Sequence, residues 1–83
     1  MKAKVVFTEK AYFNYSSKRF IFPSKIEGLE NSYSLCFETT NQIDDLTFIG
    51  DASLLIDPDR TFDAGTKFQC FWGSKILLNG EFL

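Results

Sequence analysis

The amino-acid sequence predicts an all-β protein, a small single-domain antiparallel β-barrel of about six strands that spans residues 1–83. The 83 residues suffice for one hydrophobic core. Apolar residues alternate with polar ones in short runs, which is the period of a half-buried strand. No stretch shows the 3.6-residue period and caps of a helix. We expect the sheet to close, because an open one would expose aromatic-rich edges.

The first quarter of the chain holds β-prone residues. Residues 3–8 and 10–15 are rich in aromatic and β-branched side chains. This composition predicts two strands or one long bent strand. Residues 19–22 form a short strand, which is expected to stop at Pro23 because proline donates no hydrogen bond. Residues 24–32 are expected to be a surface loop.

The middle of the chain contains the second clear strand. Residues 33–39 alternate, with Tyr33, Leu35 and Phe37 on one face. Residues 46–49 and 52–56 then form two apolar runs. The Gly50-Asp51 pair between them predicts a tight turn or a bulge.

The strand near the end of the chain has the clearest pattern. Phe68, Cys70 and Trp72 occupy alternate positions, with Lys67 and Gln69 on the opposite face, and therefore share one face. A glycine-serine break and a second apolar run follow. The alternation predicts that Trp72 lies in the core, where truncation to alanine would cost about 3 to 5 kcal/mol. The alternative is an exposed pair, Phe71 and Trp72, that anchors a partner.

The residue types argue against catalysis and metal binding. Histidine is absent, which removes the commonest general base and every Ser-His or Cys-His nucleophile. Cys36 and Cys70 lie in separate strand-like runs, so we expect both to be reduced, and two cysteines cannot complete a zinc site. We expect no enzyme, no cofactor and no metal ion.

The acidic residues after the middle strands resemble a calcium loop only in part. Asp57, Asp59 and Asp63 are closely spaced, but Pro58 lies between the first pair and the glycine of a calcium loop is missing. We interpret the segment as an acidic turn. No apolar run approaches the roughly 20 residues of a membrane span, so the protein is expected to be soluble and cytoplasmic, without a membrane partner.

Charge is distributed unevenly along the chain. The net charge is −2, but residues 1–25 carry +5, residues 26–63 carry −8 and the remainder carries +1. A basic first hairpin beside an acidic middle segment would neutralise itself, and we favour this interpretation. The other interpretation is two faces for two kinds of partner.

Short motifs resemble the C-terminal β-barrel domain of elongation factor Tu. Residues 36–41 look like its aromatic-charged-Thr-Thr-Asp turn, residues 62–66 stand in place of its apolar-x-Pro-Gly-Asp segment, and residues 76–78 and 80–82 follow in the same order. Residues 14–19 lack the glycine pair of the family's first hairpin loop. The resemblance implies a freestanding barrel of that shape. Neither GTP hydrolysis nor the family's tRNA role carries over, because the sequence has no phosphate loop.

The lack of catalytic groups and the acidic middle segment together favour a non-enzymatic barrel. Such a barrel would bind a protein, as an immunity or inhibitor protein does. The oligomeric state is left open. The acidic middle segment would steer the barrel towards a basic partner. Its predicted partner-binding residues are Asp44, Asp45, Asp51, Asp57, Asp59 and Asp63.

The alternative function is a small barrel that binds single-stranded nucleic acid. Tyr12, Tyr15, Lys18 and Arg19 interleave aromatic rings with cations, as in proteins that stack bases while neutralising phosphates. An isoelectric point near 4.9 argues against this alternative, since affinity for nucleic acid comes largely from cations.

Overall fold

The protein is a closed six-stranded antiparallel barrel, as predicted. A computed structural model describes residues 1–10 and 19–83. In the barrel the strands follow the order β1-β4-β3-β2-β5-β6. Within the described residues, no helix is long and apolar enough to cross a membrane. The strands are β1 (Lys2–Phe7), β2 (Arg19–Ile26), β3 (Tyr33–Gln42), β4 (Thr47–Leu54), β5 (Lys67–Trp72) and β6 (Lys75–Phe82).

Phenylalanine side chains fill the barrel. The alternation predicted for β3 is observed, because Leu35 and Phe37 point inward and are fully buried. The ring of Phe7 meets that of Phe48 edge to face, with centroids 5.7 Å apart, a favoured arrangement of aromatic pairs. The largest fully buried side chains are Phe7, Phe37, Phe48, Phe68 and Phe82.

A single strand, β4, replaces the two short strands predicted around Gly50. The backbone continues through Gly50 and Asp51, and Asp51 pairs with Glu38 of β3. A Cβ atom on Gly50 would overlap the carbonyl group of Glu38 and the ring of Phe37. Glycine at position 50 therefore allows β3 and β4 to approach closely and does not form a turn. The register between β3 and β4 shifts after Thr39, as expected at a bulge.

The strand β2 continues past Pro23, contrary to the prediction that it ends there. Pro23 still pairs with Ser34 of β3, but pairing with β5 begins only at the next residue, Ser24. Just beyond β2, Glu27 donates its backbone N–H to Lys67 of β5 at 2.9 Å. Alternate residues of a strand direct their N–H groups to the same side, so position 23 also faces β5. Because proline has no N–H, the β2–β5 pairing ends here.

The prediction that Trp72 lies in the core is wrong. Its side chain is 68% exposed. Phe68 and Cys70 are buried as predicted, but the register between β5 and β6 shifts after Cys70. Trp72 lies at the end of β5, beyond the last residue of β5 that pairs with β2. The Trp72 side chain, although on the inward side of β5, therefore lies at the open mouth of the barrel and is exposed.

Candidate functional site

The structure places five of the six predicted acidic residues at two ends of the barrel and the sixth, Asp51, within β4 between them. Asp44 and Asp45 lie in the turn that precedes β4, whereas Asp57, Asp59 and Asp63 lie in the segment that follows it. A strand of the length of β4 separates the two groups by roughly 25 Å. These aspartates are close in sequence, but they lie far apart in the structure because β4 runs between them.

Asp44 has a structural role in its turn. Its Oδ1 atom accepts the backbone N–H groups of Leu46 at 3.0 Å and Thr47 at 2.8 Å. These bonds lower the pKa of the Asp44 carboxyl below its usual value, with the largest effect from Leu46. The neighbouring Asp45 carboxylate lies 3.8 Å from the Nζ atom of Lys10. Asp44 therefore stabilises the β3–β4 connection.

Asp51 belongs to a row of charges that crosses four strands on the outer face. The register aligns Arg19 with Glu38, Glu38 with Asp51, and Asp51 with Lys2. Two carboxylates thus lie side by side between two cations, which offsets their mutual repulsion. This row fits the interpretation that the acidic middle segment is neutralised by the basic first strands.

Most residues of the predicted nucleic-acid site, namely Tyr12, Tyr15 and Lys18, lie outside the described residues. Arg19 is described at the start of β2, where its Nε atom donates to the Sγ atom of Cys36 at 3.1 Å. This hydrogen bond raises the pKa of the Arg19 guanidinium, which therefore stays charged. The Arg19 side chain therefore lies against the outer face of β3.

Both cysteines are free thiols, as predicted. Cys36 is half-buried on the outer face of β3, whereas Cys70 is buried among the core side chains. Burial raises the pKa of the Cys70 thiol to about 12. Across the described part of the chain, no group of three or more histidine, cysteine, aspartate or glutamate side chains could hold a metal ion.

The tip of the β5–β6 hairpin presents the largest exposed aromatic side chain of the described residues. Trp72 pairs with Lys75 across a connection of Gly73 and Ser74. Gly73 has a φ of 62°, the left-handed conformation required at the first central residue of a type II′ turn. The indole meets the ring of Phe22 edge to face at 6.2 Å. The tryptophan is therefore exposed but held in place.

A concavity adjoins the hairpin tip. Its volume is about 340 Å³, and it is lined by Pro23 and Lys25 of β2, by Phe71 of β5, by Gly73 and Ser74 of the turn, and by Ser32. It lies where β2 and β5 stop pairing. Trp72 at the mouth of the barrel, together with Phe71 and Pro23 on the outer side of the same tip, is named the hairpin-tip surface. The alternation pattern favoured a buried Trp72, whereas the alternative prediction, an exposed Phe71 and Trp72 pair before Gly73, agrees with the exposure of Trp72.

Comparison with known protein families, curated proteins and solved structures gives no match for this chain. The resemblance to the elongation factor Tu barrel therefore stays a prediction.

Proposed function

We propose that the chain is a non-enzymatic barrel that binds another protein through the hairpin-tip surface. The observation that carries the proposal is the 68% exposure of Trp72. Tryptophan is enriched among the residues that dominate the energy of protein interfaces. An exposed tryptophan on a mobile loop would lose entropy on binding, but contact with Phe22 and the hairpin turn hold this one in place beforehand.

The surroundings of Trp72 indicate the chemistry of the partner. Lys75 is its cross-strand neighbour, and Lys25 lines the adjoining concavity. The strands β2 and β5 carry no acidic residue. The partner is therefore a protein with an apolar pocket surrounded by acidic groups. This proposal replaces the predicted acidic face, because five of its six aspartates are divided between opposite ends of the barrel. An inhibitor or immunity role remains its proposed biological form.

Affinity capture with paired baits tests the proposal. The baits are the unchanged protein, Trp72→Ala, and the control Ile56→Ala, which removes an apolar side chain that is 74% exposed in the β4–β5 connection. We expect a protein that the unchanged bait and Ile56→Ala recover but Trp72→Ala does not. Equal recovery by all three baits, or none above background at low salt, would contradict the proposal.

A further inference from the structure

One side of the barrel carries all the cations of the described strands. In the barrel order, β2, β5, β6 and β1 are neighbours. The charged residues of the other two strands, β3 and β4, are all acidic. The cations are Lys2, Lys4, Arg19, Lys25, Lys67 and Lys75. This segregation arises from the topology, since basic segments that are far apart in sequence become adjacent.

Two cross-strand rows lie side by side on the outer face of this basic side. In the first row, Lys67 pairs with Glu81, and Glu81 pairs with Lys4. The two lysines are two strands apart, a backbone separation of roughly 10 Å. Glu81 therefore lies between two cations and is the only acid of the row.

The second row combines a lysine with two amides. Lys25 pairs with Gln69, and Gln69 pairs with Asn79. The Nε2 atom of Gln69 donates to the Oδ1 atom of Asn79 at 2.8 Å. This bond leaves the Oε1 atom of Gln69 and the Nδ2 atom of Asn79 as an acceptor and a donor for a further group.

The two rows line two adjacent concavities, together named the lysine groove. One concavity of about 380 Å³ is lined by Lys4, Lys67 and Glu81, and another of about 440 Å³ is lined by Lys25, Gln69 and a second acid, Glu27. Both are also lined by Lys67, Asn79 and Gly80, so they lie next to each other. Lys25 also lines the concavity beside the hairpin tip. The lysine groove is therefore adjacent to the concavity beside the hairpin tip.

Resting on the proposed function, we infer that the lysine groove receives an extended acidic segment of the protein partner whose pocket takes Trp72. The ammonium groups of Lys4, Lys25 and Lys67 match carboxylates spaced along a chain, and the Gln69–Asn79 pair matches the donors and acceptors of peptide groups. The groove-lining side chains that point outward include no aromatic ring. Single-strand nucleic-acid sites use such rings for base stacking, so the groove favours an acidic peptide.

Glu81 gives the inference a test of its own. Its carboxylate lies opposite both lysines of the first row and repels an acidic ligand. Glu81→Gln removes this repulsion. Glu38→Gln is the matched control, because it changes the net charge equally but lies on β3, outside the basic side.

The test titrates the intact protein with an octapeptide of alternating glutamate and serine at low salt, followed by NMR. We expect the side-chain amide signals of Gln69 and Asn79 to shift. Glu81→Gln should tighten binding by about twofold to fivefold, the range of single exposed charge pairs, and Lys67→Gln should weaken it similarly. The controls Glu38→Gln and Lys10→Gln should change binding by less, and added salt should weaken it.

Three results would overturn the inference. One is the absence of shifts at Gln69 and Asn79, and another is an equal effect of Glu81→Gln and Glu38→Gln, which would indicate net charge and not a site. The third is tighter binding of an oligothymidylate of the same length, which would assign the groove to nucleic acid. None of these results depends on the capture experiment with Trp72→Ala, so a failure of the groove and a failure of the hairpin-tip proposal can be told apart.

Discussion

The ring of Phe68 packs against the backbone of Gly80, its direct cross-strand partner. A Cβ atom on Gly80 would overlap three carbons of that ring. Aromatic cover of a strand glycine fixes register and excludes water from a site with no side chain of its own. Gly80 also forms part of the wall shared by the two concavities of the lysine groove. Core packing and the outer groove thus meet at one residue.

Gly80→Ala should destabilise the barrel by about 1 to 3 kcal/mol, because the added methyl group overpacks the core. Urea unfolding followed by circular dichroism measures the change. Phe68→Leu in the same chain should recover part of the loss, since the two residues are in contact and their effects are not additive. Strictly additive effects would show that the ring does not limit this position.

Trp72→Ala should change the free energy of unfolding by less than about 1 kcal/mol, since the side chain is mostly exposed. Phe37→Ala should cost about 3 to 5 kcal/mol, because Phe37 is fully buried. Fluorescence gives an independent check, as Trp72 is the only tryptophan. We expect a red emission maximum and ready quenching by iodide. A blue-shifted emission that resists iodide would return Trp72 to the core.

Stability should fall at acidic pH partly through Asp44. The native pKa of its carboxyl lies below the unfolded value. The carboxylate therefore contributes stability above the unfolded pKa, and this contribution is lost as the pH falls through the native pKa. Asp44→Ala should lower the melting temperature more at pH 7 than at pH 2.

Asp59→Ala is the control for Asp44→Ala, with an equal change in charge on the opposite side of β4. It should show a smaller difference between the two pH values. An Asp44→Ala effect that does not vary with pH would contradict the turn role assigned to this carboxyl.

Thiol labelling should distinguish the two cysteines. In the folded protein at pH 8, iodoacetamide should modify Cys36 and leave Cys70 intact, because the buried Cys70 thiol has a pKa of about 12 and no access to reagent. Mass spectrometry identifies the labelled peptide, and denatured protein, in which both react, is the control. Because burial raises the native pKa of Cys70, the free energy of unfolding should also fall as the pH rises from the unfolded pKa of 9.0 towards 12. Equal labelling rates in the folded state would contradict this burial.

The fold class and much of the core could be predicted from the sequence. The alternation of Leu35 and Phe37 in β3, and of Phe68 and Cys70 in β5, identified inward side chains correctly. This succeeds because the pleat sets the direction of successive side chains locally. The free state of both cysteines followed from the same local reasoning.

The tertiary structure decided what the local patterns could not. Gly50 resembles a turn residue in sequence, and only the neighbouring Glu38 backbone shows that it serves a close approach between strands. Trp72 continues an inward pattern, but the strand that would cover it stops pairing at Pro23. Alternation fixes which way a side chain points, whereas burial depends on what lies opposite.

The candidate site depends on pairing between distant parts of the chain. Lys4, Lys25 and Lys67 lie on one side because β1, β2, β5 and β6 are adjacent in the barrel, and Asp44 and Asp57 lie far apart because β4 runs between them. The amino-acid sequence by itself determined the all-β class, the inward positions of β3, those of Phe68 and Cys70 in β5, and the inventory of charges. Only the closed pairing of strands decided which charges share a surface, because hydrogen bonding between strands, and not proximity in sequence, sets their neighbours.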